Sequence, residues 1–196
     1  MSDTNASNPS PSDSLMIVYE GWDGYRQSII NAVAPLTIEQ LAWRPAAHLR
    51  SVGELVRHIA LGPIDWFLRM DAPGSHELAG QIEAWEEDPH GNRYVVEDAI
   101  PLTGQAAELV RWLEASWQMI EQTLNTWTVA DLQKTYRHVW RGSTYAVSRQ
   151  WTIWRIMAHD IHHGGELAIM LGAQGIEIFE LGDLGGHIIE PPLVDR

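Results

Sequence analysis

Between residues 156 and 167 the sequence reads IMAHDIHHGGEL, placing three of the nine histidines within five positions, beside Asp160 and Glu166. On a helix, His159 and His163 lie about 40° apart around the axis and about 6 Å apart along it. Two imidazoles so placed can converge on one ion, and imidazole favours Zn, Ni, Cu and Fe over hard cations such as Mg and Ca. Two ligands alone make a weak site, so a third must come from elsewhere. His58 is the best candidate, at the edge of the apolar face of another predicted helix, beside Leu55 and Gly62. Three histidines with the remaining positions open to water form a catalytic type of site rather than a closed structural one. An ion there acidifies a bound water and deprotonates a bound thiol.

Helical geometry sorts the neighbouring residues. His162 lies about 60° from His159 on the other side, so spacing alone allows it in place of His163. Glu166 stays in line one turn beyond His163 and is the candidate to orient a ligand or accept a proton; a surface carboxylate is the competing reading. Asp160 points about 100° away from His159 and is expected outside the same shell. His48, His76, His90 and His138 fall in loops or near a hairpin, where solvated surface is the default. His187, in LGGHIIEPPL, is a candidate to fold back over the site. The stripe of Thr152, Arg155, His159, His163, Glu166 and Met170 would also suit a solvent face. Two features favour a polar seam against a cavity instead: no lysine occurs between Arg149 and Leu171, and the helix is otherwise apolar nearly all round.

Four long segments carry a helical pattern. The first covers residues 15–33, with Pro35 beyond it as a stop. A small capping box at Thr37–Gln40 opens a short segment through Trp43. A second box, Ser51-Val52-Gly53-Glu54, opens the helix that carries His58, which Pro63 is expected to kink or cut short. DAPGS reads as a turn, residues 81–86 as a short helix, and EDPHGNR as a loop. The third long helix starts after Thr103 and reaches about Asn125. YRHVW, Arg141-Gly142-Ser143 and TYAVS suit a hairpin. The fourth helix spans about 149–171, with Gly172 as its cap. Residues 1–14 read as a disordered tail, and residues 15–196 as one domain whose C-terminal part is irregular from about 173.

Composition limits the partners. Thirteen basic against 26 acidic side chains give a formal charge of −13, which argues against nucleic acid and against an anionic membrane surface. The chain has no cysteine, so disulfides, thiolate ligands and a cysteine nucleophile are excluded. No signal-like segment or membrane-spanning run is found, and a cytoplasmic location is expected. Ten tryptophans against two phenylalanines suggest large core and interface side chains, some of which could line a pocket.

SVGELVRHIA, preceded by LTIEQLAWRP and followed after a long gap by HDIHHGGEL, resembles the DinB/YfiT-like superfamily of bacterial metal-binding proteins, over about residues 15–172. The resemblance implies an all-α, antiparallel four-helix bundle in up-down-down-up order, often dimeric. Short extra helices and the small β-hairpin before the last helix would be additions to it. It also implies a divalent metal, Zn or Ni, held by one histidine of the second long helix and an HxxxH pair of the last. These carry over to His58, His159 and His163. Family members of known activity include S-transferases using bacillithiol or related low-molecular-weight thiols, and a mycothiol-dependent isomerase; DNA binding is not implied. The family commonly has Gln where Glu166 stands.

Three functions follow from these readings. The first is a metal-dependent enzyme in which an external low-molecular-weight thiol, or water, attacks a small-molecule substrate; it would be a transferase or a hydrolase. The second is a metal or small-ligand binding module without catalysis. The third takes His159-Asp160 as the pair of an HD-type phosphohydrolase, with His58 upstream and Asp183 downstream, at a spacing about three times that family's usual one.

Overall fold

The computed structural model describes residues 14–100, 105–178 and Leu181. It is mostly helical. Ser14 caps a 3-10 turn at Leu15–Ile17, and helix α1 follows at Trp22–Val33. The sequence pattern predicted one helix through this whole stretch. Gly21 breaks it: its left-handed φ of 91° suits a glycine and turns the chain before α1 starts.

Both predicted capping boxes form. Thr37 and Gln40 cap the short α2 (Ile38–Ala42), and Ser51 and Glu54 cap α3 (Val52–Arg69). Each box satisfies backbone N–H groups that the first helical turn leaves without partners. Pro63 does not cut α3 short. Proline inside a helix costs about 3 kcal/mol, whereas burying one large apolar side chain stabilises by about 1.5–3 kcal/mol. Ile64 and Phe67, both wholly buried beyond Pro63, outweigh that cost.

The segment after α3 departs further from expectation. The short helix α4 is Ser75–Ala79, within and just beyond the predicted turn, and residues 81–86 are not helical. Trp85–Glu87 (β1) and Arg93–Val95 (β2) instead form an antiparallel hairpin around the expected loop, followed by a 3-10 turn at Glu97–Ala99. Three-residue strands offer too short an alternation to detect in the sequence.

Helix α5 runs from Ala106 to Thr126 and is followed by a short α6 at Val129–Leu132. The predicted hairpin is present as β3 (Thr135–Trp140) and β4 (Ser143–Ser148). Its turn has two residues, Arg141 and Gly142, with φ of 49° and 77°, the left-handed pair that matches the twist of a tight hairpin. Ser148 ends β4 and caps α7 (Arg149–Ala173), accepting the Trp151 N–H at 3.1 Å. The helix passes through Gly172, and the left-handed glycine after its end is Gly175.

Helix α3 packs against both α5 and α7, and α1 packs against the same two helices. The core lies between these four, with Ile29, Ile59, Ile64, Phe67, Ile120, Leu124, Ile153 and Leu167 excluded from solvent. Among the described residues no helix is long and apolar enough to cross a membrane. The proposed N-terminal tail up to residue 13, His187, Asp183 and most of the irregular C-terminal segment lie outside the described residues.

Candidate metal centre

The contact between α3 and α7 brings together the three histidines carried over by family resemblance. His58 on α3 and His159 on α7 approach through their Nε2 atoms at 3.0 Å. The His163 ring centre lies 4.8 Å from that of His58 and 4.4 Å from that of His159. One ligand nitrogen from each ring can be chosen so that all lie within 4.8 Å of one another. Two nitrogens bound about 2.0–2.1 Å from one ion sit near 3 Å apart, so the donor set suits a divalent transition metal.

The outer nitrogens are tied to acids. His58 Nδ1 pairs with Glu97 Oε1 at 2.8 Å, and His163 Nδ1 with Glu166 Oε2 at 2.7 Å. Both rings therefore have Nε2 left for a ligand. His159 Nδ1 is buried without a hydrogen-bond partner, 3.6 Å from Asp160 Oδ1, which is also without one. A carboxylate bonded behind an imidazole, as Glu97 is behind His58 and Glu166 behind His163, is the arrangement that fixes tautomer and ring direction in metal-binding histidines. Burial lowers the His163 pKa, and His159 and His58 add to this against the Glu166 bond, which favours the neutral ring that a metal needs.

Space at the centre is set by Gly62, one turn beyond His58. A Cβ there would sit 3.3 Å from His159 Cε1, closer than an ordinary contact, so glycine lets the ring approach α3. The rings open into a cleft of about 370 Å³ whose walls include Asp65, Trp66, Tyr94 and Arg155. Burial pushes the Asp65 carboxyl up to about 6, although Arg69, paired with it at 2.8 Å, pulls the other way.

A match to the family described as the DinB superfamily covers residues 22–167. The chain belongs to the DinB superfamily. Among solved structures it is similar to a DinB-like protein from Bacillus cereus ATCC 10987, with 15% identity and a TM-score of 0.61 over 85% of this chain and 96% of that one. It is also similar to the DinB-like protein YjoA from Bacillus subtilis, with 15% identity and a TM-score of 0.54 over 82% and 94% of the two chains. At that identity the likeness is one of fold. A comparison with curated proteins finds no match.

Within this DinB fold exposure separates His162 from His163. His162 is 68% exposed and only approaches Glu166, at 3.4 Å, whereas His163 is 14% exposed and faces the other two rings. Asp160 is not part of the three-histidine group but lies behind His159, and it is not idle. It is wholly buried, accepting from Arg26 Nη1 and Trp22 Nε1 at 2.8 Å each, and so ties the back of α7 to α1. Burial pushes its carboxyl up, but the Arg26 guanidinium, with His159 and Trp22, holds it below the usual value. His76 is on the surface as expected. His138 is not: its ring packs on Trp66 with centres 5.2 Å apart, and its Nδ1 is buried without a partner.

Glu97 and Asp65 were missed by the sequence reading. Asp65 had a signal, since it stands seven residues, two turns, after His58 and so shares its face. Glu97 had none. It reaches His58 because Arg57 clamps the 3-10 turn onto α3, donating to the Ile100 carbonyl at 3.0 Å and pairing with Asp98 at 2.6 Å.

Proposed function

We propose that this chain is a metal-dependent enzyme acting on a small molecule, with His58, His159 and His163 holding a divalent transition metal, Zn or Ni. The observation that carries the reading is the convergence of three imidazoles, two of them bonded from behind by a carboxylate. Such an ion, when bound, acidifies a thiol or a water at an open position. Glu97 and Glu166 hold the His58 and His163 rings in the tautomer that presents Nε2. Glu166, half exposed and bonded to His163, is placed to orient that ring. Asp65, with its carboxyl raised to about 6, is the group in the cleft suited to take up or release a proton near neutral pH. Gly62 makes room for His159, and Trp66 and Tyr94 stand in the wall of the cleft.

The nucleophile we favour is an external low-molecular-weight thiol, which makes the protein a thiol S-transferase; metal-dependent hydrolysis is the second version. Both agree with a chain that has no cysteine of its own. The four long helices, in this reading, run up-down-down-up, and the molecule is a homodimer. The HD-type phosphohydrolase is disfavoured because Asp160 is sealed behind His159 by Arg26 and Trp22.

The test is turnover of a panel of electrophiles with low-molecular-weight thiols, using metal-free and Zn- or Ni-loaded protein. Metal-dependent consumption of thiol and electrophile together is expected. Metal binding with no turnover of any thiol or water reaction would leave a binding module in its place.

A further inference from the structure

A second chamber, of about 570 Å³, adjoins the metal cleft and shares two of its walls, Trp66 and Arg155. The β3–β4 hairpin and the first turns of α7 form the rest of it. Its lining is aromatic: Trp66, His138, Trp140, Tyr145 and Trp151. Trp66 packs against Trp151 with ring centres 6.0 Å apart. Yet Trp140 is 56% exposed, Trp151 49% and Tyr145 46%. Large flat side chains left open in a concave, apolar chamber are what a ring-bearing ligand covers.

The shared wall carries a cation whose charge also acts on Asp65. Arg155 lies over Trp66 at 4.9 Å and over Trp151 at 5.4 Å, and makes no hydrogen bond or ion pair among the described residues. Its neighbour Arg69 also lies over Trp66, but donates to Asp65 and to the Arg93 carbonyl. Arg155 is thus an exposed cation with free N–H donors at the junction of the two cavities, in a chain whose net charge is −13. A guanidinium resting over indoles, with its N–H groups unbonded, is suited to bind a carboxylate.

We propose that the hairpin chamber is a substrate-binding subsite for a small molecule with a flat aromatic body and one carboxylate. The ring lies among Trp66, Trp140, Tyr145 and Trp151, and the carboxylate pairs with Arg155 beside the metal cleft. Its part in turnover rests on the metal-centre reading above; the binding itself does not.

Calorimetric titration of the full chain with 2-naphthoate, and with 2-naphthylmethanol as its neutral counterpart, tests this. Saturable binding is expected, with the acid preferred by roughly tenfold or more, the factor set by one charge-assisted hydrogen bond. Arg155→Met should abolish the preference, and Trp151→Ala should weaken both ligands; both residues are exposed, so the fold tolerates the changes. His159→Ala should retain 2-naphthoate binding, so the subsite stands even if metal-dependent turnover is absent. Three results would overturn the proposal: no saturable binding, equal affinity for acid and alcohol, or a sedimenting dimer that Trp140→Ala dissociates. The last would show that a second copy covers the chamber.

Discussion

Asp160→Asn is the substitution whose consequence the structure sets most sharply. Asp160 and Arg26 are 0% and 1% exposed and 2.8 Å apart, with the Trp22 indole also donating to the same carboxylate oxygen. Asparagine keeps the shape and can still accept one of these bonds, so the change removes chiefly the charge. It leaves a guanidinium in the core opposed by no anion, while Ser116 and the Leu113 carbonyl still accept from its other nitrogen. Breaking a buried pair from one side costs about 3–5 kcal/mol. In a domain of this length each kcal/mol lowers Tm by about 2–4 °C, so a fall of about 6–20 °C is expected at neutral pH. The sign of the pH dependence follows from the lowered folded-state pKa of Asp160. The pair's contribution is present above the unfolded carboxyl pKa of about 4 and is lost as pH falls through the folded value. The gap between wild type and variant should therefore close on acidification. Thermal unfolding followed by circular dichroism between pH 3 and pH 8 measures this. A variant that melts within about 2 °C of wild type at pH 7 would refute the anchoring role.

Three further outcomes are expected. Glu97→Gln should weaken metal affinity by about 10–100-fold, the usual effect of losing the partner behind a ligating histidine, as read by competition with a chromogenic chelator. The metal-free variant should melt close to wild type. Asp65 binds its proton more tightly folded than unfolded, so its effect on stability worsens as pH rises from about 4 to about 6. Asp65→Asn should therefore gain Tm over wild type across that interval and hold the gain above it; a gap independent of pH would contradict the assignment. Gly164→Ala should destabilise by about 1–3 kcal/mol, because its Cβ would lie 2.1 Å from the Tyr25 hydroxyl. Gly165→Ala meets nothing within 4 Å and should stabilise by up to about 1 kcal/mol through helix propensity. Urea unfolding of the two neighbours checks both signs.

What was legible in the sequence had either a period or a box. The polar seam of α7 and the His58 face of α3 follow from helical spacing, and Ser51-Val52-Gly53-Glu54 announced where α3 begins. The seam is not uniformly wet: Thr152 and Met170 are buried and His159 and His163 face a cleft, while Arg155 and Glu166 are exposed. Gly21 and Pro63 misled in opposite directions, because one residue's φ and the burial of Ile64 and Phe67 are not visible in periodicity. Glu97 stayed hidden for a topological reason. It lies 39 residues from His58 and is delivered by a pair of three-residue strands that no pattern reveals. Asp160 was correctly left out of the histidine cluster, but its partner Arg26, 134 residues distant, gave it a purpose that helical geometry alone could not supply.

The central claim is that His58 and His159, 101 residues apart, hold one ion together with His163. Elemental analysis of the purified chain beside His58→Ala and His159→Ala tests it most directly, with circular dichroism confirming that each variant is folded. About one divalent transition-metal ion per wild-type chain is expected, with loss in both folded variants. Metal content undiminished in either variant would contradict the three-histidine centre.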